Sequence, residues 1–238
     1  DIVRQKWLLR AYAPVMHRFL QSVDVVVTTS PEYQRSSPVL AELGRPVEVT
    51  PNGTDEASYP EPETARLARW RAELGAGFLL FVGVLRYYKG LHTLLEAAEG
   101  FAGRVVIAGA GPEIERLRQQ AAEQGLRNVV FLGRVSDEDK VCLLQLAAGF
   151  VFPSHLRSEA FGMSLVEAAM FGKPMISSAI GTGTTYVNLD GVTGLTVPPE
   201  QPQALRQAMQ SLLDDPGQAE RMGAAARQRF EQLFTAHR

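Results

Sequence analysis

The chain has 238 residues, 45% of them hydrophobic and 21% charged, which is enough for one large domain or two small ones with a substantial core. A formal net charge of -2 excludes a broad electrostatic footprint on nucleic acid, so no nucleic-acid partner is expected. The single Cys142 excludes an internal disulfide framework and fits a reducing compartment, and no apolar run approaches the roughly 20 residues that span a bilayer.

In chain order, Ile2 to Leu20 places Val3, Trp7, Leu8, Tyr12, Val15, Met16 and Phe19 on a broad apolar helical stripe kinked at Pro14. Arg4, Lys6, Arg10 and Arg18 lie elsewhere on it; they read as a solvated face in preference to a surface near anionic lipid. Val23 to Thr28 reads as a strand, and Ser30-Pro31 as the cap and first residue of a helix running to about Gly44. Val47 to Thr50 is another strand before the punctuation Pro51-Asn52-Gly53. No signal peptide is expected, and a chain that opens on Asp1 rather than Met is expected to be a fragment or trimmed form.

From Pro51 the pattern alternates. Helices are expected at Glu63 to Leu74, Leu91 to Ala98, Pro112 to Gln124 and Asp137 to Ala147, with buried strands at Phe78 to Val82, Val105 to Ala108, Val129 to Leu132 and Gly149 to Phe152. A helix at Met163 to Phe171, strands at Met175 to Ser178 and Gly194 to Val197, and helices at Pro202 to Leu213 and Gln218 to Phe234 complete it. Short apolar strands between amphipathic helices predict an α/β fold: a Rossmann-like parallel sheet with helices on both faces. Residues 1–50 lack the strands for a complete sheet of their own, so the division expected is 1–50 and 51–238.

The stretch GFVFPSHLRSEAFGMSLVEAAMFGKPMISS, Gly149 to Ser178, is where chemistry concentrates. Glu159 lies in the loop and Glu167 in the helix, whose start at about Phe161 to Ser164 falls between them. A buried helix start has N–H groups without partners and favours negative charge, so Gly162, Met163, Ser164 and Leu165 are candidates to cradle a phosphate. A carboxylate cannot serve the same anion; Glu167 and Glu159 suit hydroxyl-rich groups on either side of it. Phosphate between two polyol-binding carboxylates describes a nucleotide sugar, while the plainer reading makes Glu159 a cap and Glu167 an ordinary first-turn acid.

E-A-F-G-M-S-L-V-E followed by A-A-M-F-G-K-P resembles the Glu-x7-Glu signature of retaining glycosyltransferases with the GT-B fold, of the family-4 type. P-N-G-T-D at 51–55, F-V-G-V-L-R-Y-Y-K-G at 81–90, A-G-A-G-P at 108–112, F-L-G-R-V at 131–135 and D-G-V-T-G-L-T-V-P-P at 190–199 follow in the family's order, so the resemblance covers nearly the whole chain from Val23. It implies that Glu159 contacts the donor sugar, that Glu167 holds the ribose, and that Lys89, before a glycine, binds the diphosphate. It also implies a GT-B enzyme truncated at its N-terminal, acceptor-side domain, so that the chain alone is expected to bind donor and transfer sugar slowly or not at all.

Ligands of open α/β sheets bind outside the carboxyl ends of the strands, so the loops after Val82, Ala108, Leu132 and Phe152 should converge. Gly83 permits close backbone approach, and Arg86 and Lys89 suit a diphosphate. Many relatives carry the arginine directly after the first glycine, where this chain has Val84. Gly109-Ala110-Gly111-Pro112 superficially resembles a dinucleotide fingerprint, but the third glycine and the ribose acid are missing, which disfavours an NAD-type Rossmann oxidoreductase. It reads as a turn that lines the crevice or is purely structural. Arg134 is placed beside the base or, equally, on the surface. Ile180-Gly181-Thr182-Gly183-Thr184-Thr185 departs from the family pattern; similar loops in the family occur among bacterial enzymes of mannose- or rhamnose-containing surface polysaccharide. His17, His92, His155 and His237 show no metal-ligand spacing, and His155 alone is expected in the crevice.

The expected function is therefore a retaining hexosyltransferase using a nucleoside-diphosphate sugar, leaning to GDP-mannose or a similar GDP-sugar, in bacterial surface polysaccharide synthesis. A glycan or lipid-linked molecule is the expected acceptor. Glu159, Lys89 and Arg86 are the catalytic candidates, with catalysis mainly electrostatic, no metal and no cofactor. The expected location is the cytoplasm, including peripheral contact with the inner face of the membrane. A noncatalytic nucleotide-sugar-binding module is the alternative.

Overall fold

A computed structural model describes residues 6–236, with side chains from Tyr12 onward. The expectations for Ile2, Val3, Arg4, His237 and the side chains of Lys6, Trp7, Leu8 and Arg10 lie outside the described residues. Helix α1 (Lys6–Ser22) runs through Pro14 and leaves Tyr12, Val15 and Phe19 exposed. Strands β1 (Val27–Thr28) and β2 (Glu48–Val49) form a two-stranded parallel sheet of their own. Both are shorter than the apolar runs predict, because neither is buried between layers: Val25 and Val27 are each more than half exposed. Between them the expected single helix is two, α2 (Pro31–Ser36) and α3 (Pro38–Ala41). Ser37 precedes Pro38, and a proline ring disfavours helical geometry in the residue before it; Ser37 is accordingly extended, φ -85 and ψ 113.

After a 3-10 turn at Glu56–Ser58 comes the α/β layer: α4 (Thr64–Leu74), β3 (Leu79–Val82), α5 (Leu91–Ala98), β4 (Val105–Ala108), α6 (Ile114–Glu123), β5 (Val129–Gly133), α7 (Asp137–Leu146) and β6 (Gly149–Phe152). It continues through α8 (Met163–Met170), β7 (Met175–Ser178), α9 (Thr184–Val187), β8 (Gly194–Val197), α10 (Pro202–Asp214) and α11 (Pro216–Leu233). The strands are continuous apolar runs because helices cover both faces of the sheet, and Leu79, Leu80, Phe81, Val105, Val106 and Ile107 have no exposed surface. Strand order is β5-β4-β3-β6-β7-β8, all parallel. Sequence order therefore runs outward both ways from β3 and β6, and the switch point lies between these neighbours.

Side-chain caps define the helices at several starts. Ser30 accepts from the Tyr33 N–H at 3.1 Å, Ser136 from Asp139 at 3.2 Å and Asp215 from Gln218 at 2.8 Å. Helices α4 and α7 are clamped by Asp139, which accepts from Trp70 Nε1 at 2.7 Å, Arg69 at 2.8 Å and Arg66 at 3.1 Å. At the far end of the layer Thr54 forms a parallel bridge with Thr235, its N–H donating to the Phe234 carbonyl at 2.8 Å. Among the described residues, no helix is long and apolar enough to cross a membrane.

Candidate active site

Strand β3 delivers the chain through Gly83 to a 3-10 turn, Tyr87–Lys89, which Gly90 ends in left-handed geometry, φ 69 and ψ 21. A Cβ on Gly90 would lie 2.0 Å from the Pro153 carbonyl oxygen, so only glycine lets this turn press against the loop that follows β6. Lys89 is thereby buried, 8% exposed, at the switch point. Its ammonium donates to Glu159 Oε2 and sits 4.4 Å from the Phe152 ring centroid. The Ser154 hydroxyl donates to the same oxygen at 3.2 Å. The pair expected to divide sugar from diphosphate is in direct contact with itself. A buried ion pair of this kind is costly to break by removing one partner, because the other is left charged and unpaired.

Helix α8 opens one loop later. Gly162 is its cap residue, at φ 93 and ψ 64, and the N–H groups of Gly162, Met163 and Ser164 find no acceptor among the described residues. The Leu165 N–H does: it donates to the Gly162 carbonyl at 2.9 Å, and the Leu165 side chain has no exposed surface. Of the four N–H groups expected to be open at the helix start, three are without an acceptor among the described residues. The Phe161 ring packs on Phe234, with ring centroids 6.0 Å apart.

Glu167 lies one turn into α8, and one of its oxygens is fully engaged. Oε1 accepts from the Tyr59 hydroxyl at 2.6 Å and from Lys140 at 2.8 Å, while Oε2 makes no hydrogen bond among the described residues. Lys140 also lies 5.0 Å from the Tyr59 ring centroid. Burial pushes the Tyr59 hydroxyl above its usual range, and the bond to Glu167 adds to this. Burial pulls the Lys140 ammonium down, but the Glu167 carboxylate outweighs it and the net shift is upward. Both neighbours therefore stay protonated donors, and one carboxylate oxygen is presented for a further hydroxyl. Neither Tyr59 nor Lys140 carried any signal in the sequence. They come from a loop and a helix of other segments, and only the fold brings them to α8.

The remaining expected residues sit further out. Arg86 is exposed, and its side chain makes no hydrogen bond or ion pair among the described residues. Arg134, also exposed and unpaired among them, follows the edge strand β5, two strands from the switch point. Gly109 and Gly111 serve packing: a Cβ on Gly109 would lie 1.9 Å from the Gly83 carbonyl oxygen and one on Gly111 2.4 Å from that of Leu85. Of the two readings of that turn, the structural one accounts for both glycines, and Gly83 is their counterpart. Gly183 is likewise held, its Cβ position 2.4 Å from the Phe161 ring, and the polar loop around it contains the short helix α9.

His155 is not alone. His92 packs edge to face against it at 5.0 Å, and Tyr87 lies 4.8 Å from His155 and 5.5 Å from His92. With Glu200 these histidines form a potential ligand cluster, which sequence spacing could not show because its members lie on three separate segments. Burial holds the His155 imidazole below its ordinary range, and the neighbouring His92 adds to this.

Residues 66–229 match the family described as Glycosyl transferases group 1. Over 236 residues the chain is 60% identical to a D-rhamnosyltransferase, WbpZ, of Pseudomonas aeruginosa, covering 99% of this chain and 62% of that protein. It is 48% identical over 236 residues to an O-antigen chain mannosyltransferase C of Escherichia coli, covering 99% and 63%. The chain thus spans less than two thirds of the length of these relatives. Among solved structures it is similar to a sucrose-phosphate synthase from Thermosynechococcus elongatus, TM-score 0.81 at 27% identity over 98% of this chain and 60% of that one. A likeness in fold extends to Anabaena HepE, solved with UDP-glucose, TM-score 0.82 at 22% identity over 99% and 66%.

Proposed function

The chain belongs to the glycosyl transferases group 1 family, with the GT-B fold, and from that premise we propose that it is the donor-binding part of a retaining hexosyltransferase. The observation that carries this reading is the position of α8: its unpartnered N–H groups open at the switch point of the sheet, with Lys89 and Glu159 on one side and Glu167 on the other. The diphosphate of a nucleotide sugar is assigned to the N–H groups of Gly162, Met163 and Ser164 and to Lys89. Arg86, whose side chain is exposed and unpaired among the described residues, is assigned to the outer phosphate oxygens as the loop closes over ligand. Ribose hydroxyls fall to the open oxygen of Glu167. As the diphosphate takes Lys89, Glu159 is released from its partner, and like-charge repulsion directs it to the hydroxyls of the donor sugar rather than to phosphate. Departure of the diphosphate builds negative charge where a buried ammonium and fixed N–H dipoles are already aimed, so no metal is assigned to that step.

The donor is assigned to the GDP-mannose class, and the reaction to bacterial surface polysaccharide with a glycan or lipid-linked acceptor. Support comes from the two relatives named as rhamnosyl- and mannosyltransferases, since D-rhamnose is mannose without its 6-hydroxyl. Acceptor recognition and full turnover are assigned to the longer protein, whose remaining domain closes the crevice; orientation of bound reactants supplies about 7–11 kcal/mol of such catalysis. Calorimetry with GDP, UDP, GMP and NAD tests the reading. GDP binding that Lys89→Ala weakens more than GMP binding supports it, whereas equal loss on both, or preference for NAD, overturns it.

A further inference from the structure

We propose that His92, His155 and Glu200 bind one divalent transition-metal ion of the zinc type beside the nucleotide crevice. One ligating atom from each residue falls within 4.8 Å of the others. The second observation is independent of that proximity. His155 is 6% exposed, and neither of its ring nitrogens has a hydrogen-bond partner among the described residues.

A neutral imidazole carries one N–H and one lone pair. The N–H can be spent on an aromatic face, and Tyr87 and His92 both meet His155 edge to face at 87° and 85°. The lone pair has no such outlet and needs a donor or a cation. Beside it lies a second imidazole, and beyond that a carboxylate: His92 Nε2 lies 4.0 Å from Glu200 Oε1. Two nitrogens and a carboxylate oxygen are a ligand set for a first-row divalent ion with open positions left for water. Metal–ligand bonds of about 2.05 Å place tetrahedral ligands roughly 3.4 Å apart, so the cluster must contract. Glu200, with 58% of its side chain exposed, and His92, at 21%, are free to do so.

The three ligands lie in the first turn of α5, in the loop after β6 and in the turn after β8. An ion among them ties together three segments at the carboxyl ends of the strands. His155 is four residues before Glu159, and its backbone N–H donates to Tyr88, the neighbour of Lys89, at 3.0 Å. The ion therefore anchors the loop that carries the Lys89–Glu159 pair.

The test uses the untagged chain, stripped with chelator and titrated with Zn²⁺ by calorimetry and with Co²⁺ by visible absorption. One equivalent should bind, raise Tm and give Co²⁺ bands of nitrogen–oxygen coordination. His92→Ala and Glu200→Gln, both at partly exposed positions where the fold should hold, should each weaken Zn²⁺ binding at least about tenfold, the lower bound for loss of even an outer partner. They should also remove the Tm response. His17→Ala, at the separate surface pair with Glu42, should change nothing. Absence of binding, binding unchanged in His92→Ala and Glu200→Gln, or binding lost with His17→Ala overturns the proposal and leaves His155 to a buried water.

Discussion

The Tyr59 hydroxyl donates to Glu167 Oε1 at 2.6 Å, across 108 residues of sequence, and Lys140 holds the same oxygen at 2.8 Å. Fixing one oxygen fixes the other, so Tyr59 is a positioning residue for whatever Glu167 binds. Glu167→Ala should raise the dissociation constant for a free nucleoside diphosphate by roughly one to two decades, the worth of a charged hydrogen bond. Tyr59→Phe should raise it by only about fivefold, since the carboxylate is loosened but present. Calorimetry orders the two; equal affinity in wild type and Glu167→Ala would remove the ribose assignment.

Glu159 should behave in the opposite way. Glu159→Gln leaves Lys89 buried without its counter-charge, which lowers Tm, and at the same time frees the ammonium for phosphate. Free nucleoside diphosphate should then bind at least as tightly as to wild type and raise Tm by more, while recognition of the donor sugar falls. Thermal shift with and without ligand reads both effects on one sample.

Asp139 sets an acid limit. Burial alone would raise its carboxyl, but Trp70, Arg66 and Ser136 hold the charged form and the net shift is below the ordinary 3.8. A carboxylate depressed in the folded state contributes stability that is complete above its unfolded value and is lost as pH falls through the folded one. Melts should therefore show the α4–α7 contribution intact at neutral pH and fading below about pH 4. Asp139→Asn should cost about 1.5–3 kcal/mol at pH 7 and flatten that acid slope, as measured by urea unfolding.

Gly109→Ala and Gly125→Ala separate close approach from backbone conformation. Gly125, at φ +65, has nothing within 4 Å of its Cβ position, and alanine there should cost about 1–2 kcal/mol for the left-handed backbone alone. Gly109, at φ +146, would put the methyl 1.9 Å from the Gly83 carbonyl, a collision with backbone that no rotamer relieves. Its loss should exceed about 4 kcal/mol, or abolish folding, by the same unfolding assay.

Where apolar runs are bounded by glycine or proline and buried on both sides, the residues themselves define the elements. Leu91–Ala98, Val105–Ala108, Gly149–Phe152, Met175–Ser178 and Gly194–Val197 have the bounds their sequence predicts. Val23 to Thr28 has the same composition but no second layer, and only Val27–Thr28 pairs. In the site, Glu159, Glu167 and Lys89 belong to local patterns and could be read locally. Tyr59, Lys140 and His92 could not, because what matters about them is which distant atom they meet. Leu165 shows the limit from the other side: its place at a helix start is legible, whereas the turn that consumes its N–H is a matter of Gly162's dihedral angles.

The bridge between Thr54 and Thr235 puts the entrance and exit of the α/β layer side by side. Topologically the layer is a ring with a nick, and the position of the nick is a matter of genetics rather than of packing. A permuted gene that joins residue 54 to residue 235 through a short flexible linker and reopens the chain at the exposed turn of Gly125 would encode the same layer, starting with its edge strand. The same bridge brings the segment that leads into Thr54 and the chain at Thr235 to one spot on the layer.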